Sequence, residues 1–346
     1  MDKRDYRLDV IRIMACCFVV LIHVATYGME IMDPAGSDWM IRNIVSCAAR
    51  SAVPVFFMIS GILFMEKTVS LKSLYGKYIA RIFASWALWS AFYALIDYAA
   101  SRKDGNASLG YFAERFLKGH YHLWFLPTLI VVYMLLPMIQ RVVVGCPGFL
   151  MKYFGALVLI GVIGRETLAP YVHNAGWDGL WDNFSIPLVS VGVIYFVLGY
   201  CLYQKKNWIS AKAGFAMYVL AAATMAAVNG IHAVWAGGHR SSASVYLGLG
   251  VLLTSAGLFT CLLQTIPEKG FSDRQKKILR EVSDCTFGIY LMHTFFIEQV
   301  YRRVGLTQEM FPTLVSIVFF FALTFGISLA GAWCLRRIPV IRRWAL

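Results

Sequence analysis

An all-α membrane protein, a polytopic bundle of about ten transmembrane helices, is the fold class this sequence predicts. Three observations predict it. Of 346 residues 59% are hydrophobic and only 15% charged, with a mean hydropathy of +0.63, more apolar than a soluble globular domain can keep in water. Apolar runs of about 20 residues recur along the chain, and none alternates as the strands of a barrel would. The cations gather in alternate connections.

Taken in order, the first helix is expected near 8–28. The basic start "MDKRDYR" imitates a signal peptide, but the apolar run that follows lacks a small-residue cleavage site, so the run is read as a retained helix. Further spans are expected near 44–65, 77–98, 121–140, 149–168, 185–204, 212–235, 244–265, 285–304 and 312–335. The fifth and seventh are weakened by glycines, Arg165 and Asn229. Only two connections look sizeable, an outer loop at 169–184 and an inner one at 266–284. "FSDRQKKILREVSD" in the latter has helical spacing and a basic face, the signature of a helix lying on a membrane surface. No repeat or appended soluble domain is apparent, so residues 1–346 are read as one transmembrane domain.

With the amino terminus inside, most of the 32 lysines and arginines fall in cytoplasmic stretches, so both termini are expected in the cytoplasm. Lys276 and Lys277 then lie inside, while His122, Trp124 and Asn106 lie outside. Arg42 is counted among the outer cations. The net charge of +13 reads as topology and attraction to anionic membrane lipids, and no nucleic-acid partner is expected. Seven of the eight cysteines sit in or at the edges of predicted helices and no C-x-x-C pair exists, so they read as small apolar fillers with no metal to hold.

"DVIRIMACCFVVLIHV" puts Asp9, Arg12 and His23 in a segment otherwise suited to lipid. Eleven residues turn a helix through about 1100°, so Arg12 and His23 share a face, roughly 16 Å apart along the axis. Asp9, three before Arg12, lies near that face and can pair with it. A bland reading has Arg12 snorkelling to headgroups and His23 bonded to a neighbouring helix. Arg50 in "RSAVPVFFMISGILF", His122 and Trp124 in "YHLWFLP", and His293 followed by Glu298 in "FGIYLMHTFFIEQV" all reach the outer half of the bundle. Together they are too polar for lipid-facing positions, so the helices are expected to enclose a polar cavity.

These motifs resemble the acyltransferase-3 family of integral membrane acyltransferases. Its first helix carries Asp-x-x-Arg and, eleven residues on, a His; here these are Asp9, Arg12 and His23. "ARSAVPVFFMISGILF", "HLWFL" and "GIYLMH" are also similar, in the right order over nearly the whole chain. Some members of that family show two arginines at the start of the second helix, where this chain has Arg50 alone.

The resemblance implies an O-acyltransferase of a bacterial inner membrane, most like stand-alone O-acetyltransferases of surface glycans such as enterobacterial common antigen. It implies acetyl-CoA or another acyl-CoA as co-substrate, and a glycan or glycolipid hydroxyl outside as acceptor. Relatives often add an extracytoplasmic hydrolase-like domain after the last helix, which is expected here, if needed, from another protein. Arg12, Asp9, Arg50, Lys276 and Lys277 are then candidates for holding the donor, and His122 and Trp124 for holding the acceptor. His23 is the candidate general base, with Glu298 or His293 orienting it. Direct transfer and an acyl-histidine intermediate both stay open, as does a homo-oligomer. Buried His, Arg and Glu on ten helices also describe a transporter of a small polar solute such as an amino acid, although no inverted repeat is apparent.

Overall fold

The computed structural model describes residues 4–103, 108–168, 190–235, 246 and 248–344, and every regular element among them is helical. The expected outer loop at 169–184, the first residues expected in the sixth and eighth spans, and Asn106 lie outside the described residues.

α1 (Tyr6–Thr26) begins where the Asp5 side chain accepts from the Arg7 backbone N–H at 3.0 Å, an N-cap that satisfies one of the helix's free donors. Burial pushes the Asp5 carboxyl up, but the hydrogen bonds and charge of Arg7 outweigh it and hold the group below the usual carboxylate range. The helix packs against α2 (Ser37–Ala49), α3 (Ala52–Phe64), α10 (Leu249–Thr265), α11 (Asp273–Phe295) and α12 (Thr313–Leu335), which makes it the axis of the bundle. Ala15, Cys16 and Ala25 are fully buried there, small enough to let the neighbouring backbones approach.

The second span differs from expectation. It begins at Ser37 and breaks between α2 and α3 at Arg50 and Ser51, because Pro54 has no N–H to return to the Arg50 carbonyl. Arg42 is therefore no loop cation. It is 2% exposed inside α2, where it donates to Ala25 O at 3.3 Å and Gln308 Oε1 at 2.5 Å.

α4 (Ala80–Lys103) follows a π turn at Leu74–Ile79. The connection after it carries an unexpected amphipathic helix, α5 (Leu109–Lys118), capped by Ser108 and ended by Gly119 at φ +68°. A 3₁₀ turn at Tyr121–Trp124 then leads into α6 (Phe125–Val143). α7 (Gly148–Val158) is carried on to Leu168 through a π turn. α8 (Val191–Gln204) and α9 (Ala211–Trp235) precede α10.

α8 lies directly on the backbone of α3. A Cβ on Gly61 would fall 1.9 Å from the Phe196 carbonyl oxygen, and one on Gly199 would fall 2.3 Å from Met58 Cα. Only glycine permits that contact, which fixes the α3 wall of the cavities described below.

The stretch expected to lie on the membrane surface is instead the start of α11. The capping box of Ser272 and Gln275 opens the helix once, and no Gly or Pro interrupts it before the ninth span. α13 (Pro339–Trp344) ends the described chain. Among the described residues, seven helical segments are long and apolar enough to cross a membrane. With the shorter α8 and α10 and the charged α11, they account for the ten expected spans. Arg4 and Arg336 both ion-pair with Asp284, at 3.2 and 3.0 Å, so the two ends of the chain meet at one end of the bundle.

Candidate active site

Two cavities lie one above the other along α1. The first, 820 Å³, is at the amino-terminal end and is lined by Arg12, Arg81, Arg336 and Arg342, with Asp284 the one carboxylate among its lining residues. Phe56, Phe125 and Phe287 give it an apolar upper wall. The second, 520 Å³, is lined by His23, Arg50, Tyr121, His122, Trp124 and Glu298. Val19, Val53 and Tyr290 border both, so two valines and a tyrosine ring are all that stand between a cationic chamber and a histidine chamber at that point.

Arg12 faces the first chamber, as its position on the His23 face of α1 requires. Asp9 does not hold it. The Asp9 carboxylate accepts from Arg4 at 2.6 and 2.8 Å and from the Ser283 hydroxyl at 2.7 Å, so its pairing is to the chain's first residues and to α11. Arg4 wins that contact because it approaches from outside the helix, free of α1's fixed spacing.

The second chamber contains a chain of hydrogen bonds whose protons can be placed from their partners. Tyr121 OH donates to Glu298 Oε1 at 2.8 Å, which uses its only proton. Its oxygen therefore accepts from His23 Nδ1–H at 3.3 Å, leaving the Nε2 of a neutral His23 ring with its lone pair. His120 Nε2 lies 3.2 Å from Glu298 Oε2, and its Nδ1 is 2.7 Å from His122 Nδ1. His293 donates from Nδ1 to Tyr290 O at 2.7 Å, and its ring centroid is 4.8 Å from that of His23. The Nε2 atoms of His122 and His293 are buried and make no hydrogen bond among the described residues. Such a chamber can accept a proton from a bound hydroxyl and pass charge toward Glu298.

Backbone geometry explains how these groups meet. Five residues of ordinary helix would set His293 and Glu298 about 140° apart. The π turn at Phe296–Val300 widens the helix at that point and swings Glu298 toward Tyr121, a use of π turns common at functional sites.

Of the residues singled out in the sequence, His23, Arg50, His122, Trp124 and Glu298 share one chamber, with His293 packed behind His23. Arg50 therefore stands with the histidines, its guanidinium 5.8 Å from the Tyr246 ring centroid, and not beside Arg12. Lys276 pairs with Asp273, and Lys277 lines a separate cavity between α11 and α12; neither lines the chamber of Arg12. Sequence reasoning missed Tyr121, His120 and Tyr290, and the cations Arg81, Arg336 and Arg342. Signals were present: Tyr121 stands in "YHLWFLP" and Tyr290 in "GIYLMH", and "GHYHLW" sets three polar aromatic residues in a row before an apolar span.

The fold and site define a polytopic helical membrane protein enclosing two adjoining polar chambers. The chain belongs to the acyltransferase-3 family, whose acyltransferase domain matches residues 5–333. No curated protein and no solved structure matches it. The family makes the protein a membrane acyltransferase.

Proposed function

We propose that the protein transfers an acyl group, acetyl by default, from acyl-CoA on the cytoplasmic side to a hydroxyl on the far side of the membrane, His23 being the general base. The acceptor we propose is a sugar of a surface glycan or lipid-linked saccharide, as in enterobacterial common antigen modification, and the membrane the bacterial inner one. One observation carries the reading: Arg12 and His23 line successive chambers that meet at Val19, Val53 and Tyr290.

The donor's phosphates would rest among Arg12, Arg81, Arg336 and Arg342, because guanidinium forks bind phosphate oxygens bidentately and stay charged when desolvated. A pantetheine arm is of the same order as the roughly 16 Å separating Arg12 from His23, so the thioester would reach the boundary between the chambers from below. An acceptor hydroxyl would enter between Trp124 and His122. His23 Nε2 takes its proton as the oxygen attacks the thioester carbonyl, the C–S bond breaks, and the proton passes to the departing thiolate. Glu298, through Tyr121, holds the Nδ1 proton and offsets the charge on the imidazole as it forms.

The test uses proteoliposomes loaded with labelled acetyl-CoA on one side and a lipid-linked saccharide on the other. Acetyl ester on the saccharide is expected. No turnover of acetyl-CoA or succinyl-CoA with any glycan acceptor would overturn the reading. Mass comparison of surface glycans with and without the gene identifies the group and the acceptor together.

A further inference from the structure

Away from the two chambers, α7 and its continuation to Leu168 form the least embedded of the seven long apolar segments, touching α10 at Thr167. Only 6% of the apolar window in this span is buried within the protein, against 56% for the first span and 67% for the second. Between it and α8 lies a 590 Å³ cavity, and the two ends of that cavity differ in character. At the amino-terminal end of the bundle it is lined by Lys152, Lys205, Trp208, Glu66, Tyr200 and Gln204. Deeper in, the lining turns to Val158, Ile163, Val193, Val197 and Leu252.

The polar end carries two ammonium groups against one carboxylate, and that carboxylate is already engaged. The Glu66 carboxylate already accepts from Tyr200 OH at 2.9 Å and Gln204 Nε2 at 2.5 Å. Lys205 stands 4.5 Å from the Trp208 ring centroid, the ammonium-on-aromatic arrangement of a membrane interface. Two lysines thus stand at one end of a slot whose deeper lining has hydrocarbon character. From Lys152 to Ile163 the slot runs eleven residues, roughly 16 Å, about half the thickness of a bilayer's hydrocarbon. That is the depth of one leaflet.

We infer that this groove is a binding site for one anionic phospholipid of the leaflet at the amino-terminal end of the bundle, its phosphate between Lys152 and Lys205 and one acyl chain between α7 and α8. A lipid there supplies the packing that α7 does not obtain from the protein. Neither the two chambers nor their residues take part, so the inference stands apart from the proposed reaction.

Delipidated full-length protein in detergent, titrated with phosphatidylglycerol or phosphatidylcholine and read by native mass spectrometry, tests it through the affinity of the first bound lipid. Phosphatidylglycerol is expected to bind more tightly. Lys152→Gln and Lys205→Gln should each weaken it about fivefold, and together about 25-fold, to the level of phosphatidylcholine. Gly155→Leu tests the chain-binding half. Gly155 lines the groove and has no atom within 4 Å of its Cβ position, so a leucine enters open space. It should weaken both lipids while leaving lipid-free thermal melting unchanged. Lys212→Gln, elsewhere on the same end, should change nothing. Equal affinity for the two lipids, or an unaltered double lysine variant, would overturn the assignment. So would polyprenyl phosphate binding ten times more tightly than phosphatidylglycerol, which would make the groove an acceptor's anchor.

Discussion

Tyr121 and Glu298, 177 positions apart in the chain, share a hydrogen bond of 2.8 Å, and the same tyrosine oxygen is the partner of His23. The carboxylate therefore reaches the proposed base through a phenol. Removing only that hydroxyl separates the roles: Tyr121→Phe keeps the ring and frees the His23 tautomer. Acyl transfer is expected to fall tenfold to hundredfold, the worth of a hydrogen bond to a charged group, with acyl-CoA affinity unchanged. Glu298→Gln should show the same pattern, and the double variant should lose little more than either single one, as a connected pair requires. Additive losses would show that the two act separately.

His23→Ala should fold, bind acyl-CoA and lose about two orders of magnitude or more in transfer rate. Thermal melting and acyl-CoA binding, measured beside turnover, separate loss of the base from loss of structure. An active His23→Ala enzyme would end its assignment, and His122 or His293, each with a bare buried Nε2, would take its place.

Arg12 belongs to the other chamber, so its removal should act on the donor. Arg12→Ala is expected to weaken acyl-CoA binding, and Arg12→Lys to restore it only in part because the bidentate fork is lost. Isothermal titration with a non-hydrolysable acyl-CoA analogue checks this. Equal affinity in wild type and Arg12→Ala would make the residue purely structural.

Asp9 separates from Arg12 in its expected effect. Its side chain is 5% exposed and ties Arg4 and Ser283 together, so Asp9→Asn should loosen α1 on α11. Arg4 is 34% exposed, which places the cost at about 1–2 kcal/mol, below that of a fully buried pair. A lower melting temperature with unchanged acyl-CoA affinity is the expected outcome. Weakened donor binding without loss of stability would return Asp9 to the donor site.

Where the sequence was readable, it was because lipid is an unforgiving solvent. Ten apolar runs could only be helices, and Arg12 and His23 in one of them had to share a face, which fixes their two chambers on α1. The rest was hidden by departures from regular geometry. The π turn that brings Glu298 to Tyr121 leaves no mark in the periodicity, and the break at Arg50 depends on a proline four residues downstream. Arg81, Arg336 and Arg342 looked like ordinary cytoplasmic cations because the positive-inside pattern already explained them. Lys276 and Lys277 looked equally suitable for the same reason, yet α11 carries them away from the chamber of Arg12.

Orientation decides whether the donor chamber faces the cytoplasm, and it can be tested on two described positions. Leu109 opens the amphipathic helix α5 at the histidine end of the bundle and is 82% exposed. Lys276 lies near the start of α11, beyond Asp284, where both chain ends meet. The eight cysteines are all free, so a cysteine-free variant loses no disulfide, and the buried Cys16, Cys47 and Cys285 can be replaced by alanine. In that background Leu109→Cys should react with an impermeant thiol reagent in intact cells. Lys276→Cys is expected to react only after permeabilisation, as the positive-inside reading of the cation distribution predicts. Labelling of Lys276→Cys alone in intact cells would invert the protein, placing the arginine chamber outside, where no acyl-CoA is available, and the proposed route through His23 would fall with it.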